Sequence, residues 1–254
     1  MYPHFDAVTW ATPFGLLFLT AIFIAWYFAR RNAIGVNVDP SHVDLLIPIA
    51  IIVGVAFGTL LALFAPMDEG IRVSLFAIVG AGAFAVLVYS RIAGLPFLRV
   101  LDLFALPTIA ALMVHRIGCF LAGCCWGKPA GGGLPATTAQ FPPGSFAYNQ
   151  HLDAGLIPPN ALTSLPVHAV QLYEAGLLLV LLPILWRLSW RRFPTGTITI
   201  ISICSYAFVR FFMEYLRADG SIVLGSLTST QVICIVLLLG TALLPLRKSV
   251  SLRQ

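Results

Sequence analysis

Seven apolar runs, at 14–29, 45–64, 73–89, 100–120, 170–190, 197–216 and 230–246, dominate this chain, each bounded by proline, glycine or charge. A bilayer core about 30 Å thick takes about 20 apolar residues per helix, so runs of this length define spans. The balance agrees: 59% of the 254 residues are hydrophobic and 10% are charged, and the mean hydropathy is +0.93, well beyond what a soluble core needs. The expected fold is all-α: a polytopic membrane protein of seven transmembrane helices, forming one membrane domain over 1–254. The net charge of +5 does not indicate nucleic acid, because the basic residues sit in short clusters beside the apolar runs. No short cleavable leader opens the sequence, so the first run should stay as a span.

Those clusters set the orientation. Arg30 and Arg31 follow the first run, and Arg91 and Arg99 flank the connection after the third. Arg187, Arg191 and Arg192 end the fifth run, and Arg247, Lys248 and Arg253 end the seventh. If the spans alternate, all of these fall on one side. The other side receives the segment 1–6, the turn 66–70 with Asp68 and Glu69, and a long loop, 126–166, whose one basic residue is Lys128. The N-terminus is therefore expected outside and the C-terminus in the cytosol. The 126–166 loop is rich in glycine and proline, and reads as an irregular extracytoplasmic lid without its own core.

Polar residues collect at the outer ends of three spans. The stretch HRIGCFLAGCCWG, residues 115–127, places His115, Arg116, Cys119, Cys124 and Cys125 at the end of an apolar run, with Asp102 earlier in the same run. On a helix, His115 and Cys119 would stand one turn apart on one face. In HAVQLYEA, residues 168–175, His168, Gln171 and Glu174 or Ala175 would share a helical face. In YAFVRFFMEYLR, residues 206–217, Tyr206, Arg210, Met213 and Arg217 would line one face, with Glu214 one turn after Arg210.

An arginine within an apolar span must face the bundle and find a partner. Arg116 and Arg210 either form structural ion pairs with Glu174 and Glu214, or converge on an anion, for which planar guanidinium groups suit a phosphate. Cys204 and Cys234 are solitary and read as small core residues. Cys119 and Cys124 could bridge on an oxidising outer side, or a thiol could serve as a nucleophile beside His115 and Arg116. The spacing of His115, Cys119 and Cys124 matches no zinc pattern, and neither metal nor cofactor is expected. His115 either hydrogen-bonds a neighbouring helix or moves a proton.

Taken together, Asp102 ahead of Arg116, then RIGCF and GCCWG, then HAVQLYE, then YAFVRFFMEYLR resemble the bacterial prolipoprotein diacylglyceryl transferase family. The resemblance covers the fourth to sixth runs; the others match in number and orientation. It implies a seven-helix bundle open to the outer leaflet. It also implies an enzyme that moves the diacylglyceryl group of phosphatidylglycerol to the thiol of a secreted precursor and releases glycerol phosphate. By the same resemblance Arg116 and Arg210 hold the leaving phosphate, and Tyr206, Glu214 and Gly127 fall on functional positions. Cys119 and Cys124 stand where the family carries an asparagine and an acidic residue. The stretch FAIVGAG, residues 76–82, lacks a family histidine thought to act in proton removal, and Phe14-Gly15 replaces a tyrosine-glycine pair.

The expected site therefore comprises His115 as base, with Arg116, Arg210, Tyr206 and Glu214 as the catalytic group. Asp102, Cys119, Cys124, Gly127, His168, Gln171, Glu174 and Arg217 would contact substrate. The expected partners are an anionic phospholipid and a secreted precursor or other thiol acceptor, in a bacterial inner membrane. Two other classes stay open: a thiol-redox membrane protein centred on Cys119, Cys124 and Cys125, and a lipid transporter. The crowding of polar residues at one leaflet disfavours the transporter.

Overall fold

The computed structural model describes residues 13–63, 70–130, 138–191, 193–218, 220 and 222–242. Outside these lie several residues used above for topology: 1–6, Asp68, Glu69, Arg192, Arg247, Lys248 and Arg253. The seven apolar runs form helices, α1 (Pro13–Ala33), α2 (Pro40–Ala62), α3 (Gly70–Ile92), α4 (Phe97–Ala122), α6 (Val170–Ser189), α7 (Thr197–Met213) and α8 (Ser229–Ala242), with Leu63 and Trp190 in turns and 214–216 in a 3-10 turn. Among the described residues, five stretches are long and apolar enough to cross a membrane: Phe14–Val36, Pro40–Leu61, Phe97–Ala122, Val170–Ser189 and Thr197–Leu216. Two further apolar helical stretches, Gly80–Ile92 and Ser229–Thr241, are shorter. α1, α3 and α4 run past the apolar limits at both ends. Arg30 and Arg31 fill the last turn of α1 and Arg91 that of α3, where cations suit the helix dipole.

The chain divides into two compact units, 1–24 with 108–254, and 25–107. In the unit 25–107, Asp39 caps α2 by accepting from the Ser41 amide at 2.8 Å, and Pro40 occupies the first turn, where its missing N–H costs nothing. α2 and α3 pack closely. A Cβ at Gly54 would lie 2.6 Å from the Ile78 carbonyl oxygen, and one at Gly82 would lie 3.0 Å from that of Ala50. Small residues of this kind let membrane helices approach backbone to backbone. Asp44 pairs with Arg30 and accepts from Trp26 Nε1 at 2.7 Å.

In the other unit α7 packs against both α6 and α8. The segment 126–166 departs from expectation. It carries α5 (Phe146–Asp153) and β1 (Thr138–Ala139), which pairs antiparallel with β2 (Val167–His168). Trp126, Ala139, Phe141, Ala147, Val167 and Ala169 form a buried cluster, packed against Phe120, Leu172 and Ala218. Aromatic residues spaced among the glycines and prolines supply this core. Phe141 is completely buried, and the Tyr148 hydroxyl donates to the Ala161 carbonyl at 3.0 Å. The loop polar groups close on each other: Ser164 Oγ accepts from the Phe141 amide at 3.0 Å, and Trp126 Nε1 donates to Gln150 at 2.8 Å.

Backbone pairing ties three distant stretches into a ribbon. Residues 126–130 lie between 216–218 and 166–168, through the antiparallel bridges Gly127 to Arg217 and Pro129 to Val167. The amides of Lys128 and Ala218 donate to Leu216 and Trp126 on one side, and that of Gly127 donates to His168 on the other. Beyond Arg217, β3 (Ile222–Leu224) and β4 (Leu227–Thr228) make a hairpin leading into α8.

Candidate active site

Ionic groups gather where α4, α6 and α7 approach this ribbon. α6 buries Gln171, Glu174 and Leu178, three and four residues apart, on one face. Glu174 is wholly buried, and its Oε1 lies 2.8 Å from Arg116 Nε on α4. Tyr206 on α7 joins the pair: its hydroxyl donates to Glu174 Oε1 at 3.1 Å and accepts from Arg116 Nη2 at 3.4 Å. One turn on, Arg210 Nη1 lies 2.7 Å from Glu214 Oε2, and Arg217 Nε lies 3.7 Å from the same oxygen. Thr228 on β4 donates to Glu214 Oε1 at 2.9 Å. Tyr206 lies within the field of both Arg116 and Arg210, so the two groups form one constellation. It sets three guanidinium groups against two carboxylates. These contacts use Nε and Nη2 of Arg116 and Nη1 of Arg210, out of the five N–H donors each guanidinium carries.

Beside this constellation stand the three thiols. α4 ends at Ala122, and Gly123 (φ 71°) and Cys125 (φ 61°) adopt left-handed backbone. That conformation is ordinary for glycine but strained for cysteine, and strain of this kind collects at functional sites. The reversal turns Cys124 and Cys125 back onto the last helical turn, leaving the sulfurs of Cys119, Cys124 and Cys125 within 4.8 Å of one another. All five cysteines of the chain are free thiols. Gln171 Nε2 pins the turn by donating to the Cys124 carbonyl at 2.7 Å. Cys125 has the other two sulfurs as hydrogen-bond partners and Arg217 and Arg116 beyond them, and its thiol is held well below the ordinary range. Cys124, hydrogen-bonded to Cys119 and Cys125 and desolvated, is pushed up. His115 Nε2 touches Cys119 Sγ at 3.4 Å, and its ring meets Phe14 and Phe18 edge-on, with centroids 5.8 and 6.2 Å away.

The order of these groups along the chain matches one family. Its model, described as prolipoprotein diacylglyceryl transferase, aligns with residues 7–246. The chain belongs to the prolipoprotein diacylglyceryl transferase family. A phosphatidylglycerol–prolipoprotein diacylglyceryl transferase of Nitratidesulfovibrio vulgaris is 30% identical over 261 residues, covering 92% of this chain and 90% of the relative. That of Allorhizobium ampelinum is 28% identical over 250 residues, covering 85% and 79%. The protein of the same name from Methylococcus capsulatus is 29% identical over 248 residues, covering 89% and 86%.

In this prolipoprotein diacylglyceryl transferase family member, Arg116, Glu174, Tyr206, Arg210, Glu214 and Arg217 form the ionic constellation, with Gln171 holding the thiol turn beside it. Both ion pairs weighed from the sequence form. His168 does not share a helical face with Gln171. Its amide donates to Lys128 and it pairs with Thr138, so the backbone is strand there and α6 starts at Val170. Arg217 follows the end of α7 in extended backbone rather than continuing its face. Gly127 has a packing reason: a Cβ there would meet the His168 carbonyl oxygen at 2.5 Å and Val170 Cγ2 at 2.7 Å. Asp102 lies in the unit 25–107 and is half buried. Sequence reasoning passed over Thr228, whose signal was the Gly225-Ser226 turn that returns β4 to β3.

Proposed function

We propose that this chain is a seven-span enzyme of a bacterial inner membrane, with its N-terminus outside and the arginine constellation toward the outer leaflet. It transfers the diacylglyceryl group of phosphatidylglycerol to the cysteine thiol of a lipoprotein precursor. The family supplies the reaction; the observation that carries the assignment of residues is the cluster of three buried guanidinium groups around two carboxylates. Each guanidinium carries five N–H donors in a planar fork that suits a phosphate. A phospholipid phosphate entering between the helices would meet those donors.

In the transfer, the acceptor thiolate attacks the glyceryl carbon, the carbon–oxygen bond to phosphate breaks, and the electron pair leaves with glycerol phosphate. Charge growing on the departing phosphate meets the fixed cations Arg116 and Arg210, which lowers the barrier because they need no reorganisation. Tyr206 and Glu174 hold Arg116, and Glu214 holds Arg210 and Arg217. His115 takes the acceptor proton. Residues 138–166 serve as a lid, with Gly127 and His168 toward the substrate side.

The test is transfer of labelled glyceryl lipid from phosphatidylglycerol vesicles to a lipobox peptide by the Arg116→Ala and Arg210→Ala variants. Loss of one fixed cation from the transition state should cut turnover by roughly 100-fold or more. Full activity in both variants would remove the phosphate clamp.

A further inference from the structure

Three sulfurs within 4.8 Å, supplied by residues only six positions apart, are more than a substrate phosphate requires. We infer that Cys119, Cys124 and Cys125 form a trigonal three-sulfur site for a soft, thiophilic metal cation of the Cu(I) class. The inference does not depend on the transferase reading.

Four observations carry it. The sulfurs converge although the backbone must take a strained left-handed turn at Cys125 to bring them together. The turn is held from outside by the Gln171 amide on the Cys124 carbonyl, the kind of supporting hydrogen bond that orients ligands at metal sites. Arg116 and Arg217 lie within the field of Cys125, and would offset the negative charge that a monovalent ion on three thiolates leaves behind. Finally, the donor set is all sulfur. Of the three sulfurs His115 Nε2 meets that of Cys119, at 3.4 Å, and His115 stands outside the group of atoms that lie within mutual reach. A closed tetrahedral zinc site wants four protein ligands; among the described residues the group offers three, all soft thiolates, which suits Cu(I). Spacing concealed this site because the chain reverses between the first cysteine and the other two.

Binding is coordination without redox change. Each ligating thiol gives its proton to the buffer as its sulfur takes the metal, so uptake releases protons and weakens as pH falls. Cys204 and Cys234 are not needed; Cys204 Sγ lies 3.3 Å from the Thr241 hydroxyl, on helices of their own.

The experiment uses the full chain in detergent under anaerobic, reduced conditions, with Cys204 and Cys234 changed to serine so that three thiols remain. Cu(I) is delivered from a chromogenic chelator, and Zn(II) is titrated in parallel. The expected result is one Cu(I) per chain, a sulfur-to-metal charge-transfer absorption, and protection of all three thiols from alkylation. Each of Cys119→Ser, Cys124→Ser and Cys125→Ser should weaken binding by more than the roughly 10- to 100-fold that loss of a mere supporting hydrogen bond costs. Thiol protection in the three-cysteine chain needs no further variant, so misfolding of a serine variant leaves the test intact. Protection of fewer than three thiols, tighter binding of Zn(II) than of Cu(I), or a disulfide among the three in the chain isolated without reductant would each overturn the site.

Discussion

Replacing Glu174 by glutamine tests the centre of the constellation while nearly preserving its shape. The Glu174 carboxylate is wholly buried, and its Oε1 lies 2.8 Å from Arg116 Nε. At that distance and an effective dielectric of about 20, the attraction is about 6 kcal/mol. The amide oxygen of glutamine can still accept from the Tyr206 hydroxyl, now 3.1 Å from Oε1. What is lost is the counter-charge of a buried guanidinium, and breaking such a pair typically costs 3–5 kcal/mol. The variant is therefore expected to lose about 3 kcal/mol against unfolding in nanodiscs of a zwitterionic lipid. In phosphatidylglycerol nanodiscs the loss should shrink, because a lipid phosphate replaces the missing carboxylate beside Arg116. Equal stability of variant and parent in the zwitterionic lipid would refute the ion-pair reasoning. An undiminished loss in phosphatidylglycerol would refute the anion.

Other perturbations read other parts. Gly127→Ala forces a Cβ to within 2.5 Å of the His168 carbonyl oxygen; overpacking of this kind costs about 1–3 kcal/mol, to be seen as a lowered melting temperature. His115→Gln should cut transfer by roughly 10²- to 10⁴-fold, the usual contribution of a general base, and abolish the acid limb of its pH profile; an unchanged profile would make the ring structural. His151 is lowered below 6.5 by burial, with its Nδ1 accepting from the Leu165 amide at 3.3 Å. A depressed folded value means the unfolded chain binds the proton more readily, so the contribution is complete above about 6.5 and declines as pH falls below it. Hydrogen exchange at the Leu165 amide, corrected for its intrinsic rate, should show less protection at pH 5 than at pH 7.5, and His151→Gln should flatten the difference.

The helices were legible because apolar length is a local signal: α6 (Val170–Ser189) falls within one residue of the run that announced it. The Arg210–Glu214 pair was legible for the same reason, since four residues on a helix make neighbours. Arg116 with Glu174 needed a resemblance or a guess, because α4 and α6 meet only through the fold. Two features escaped. Helical spacing was carried through His168, where backbone pairing with 128 and 138 keeps the chain extended. And glycine and proline content hid the core of 126–166, since it says how a chain turns but not that Phe141, Trp126 and Val167 meet once it has turned.

The backbone ribbon joining 126–130 to 166–168 and 216–218 has a mechanical consequence. It laces together the chain just beyond α4, just before α6 and just after α7, the three helices that carry Arg116, Glu174 and Arg210. With their tips stitched this way, those helices cannot splay at that end without tearing main-chain bonds. A two-tailed guest must slip in along their flanks, and whatever yields to admit it has to be found among the unlaced neighbours.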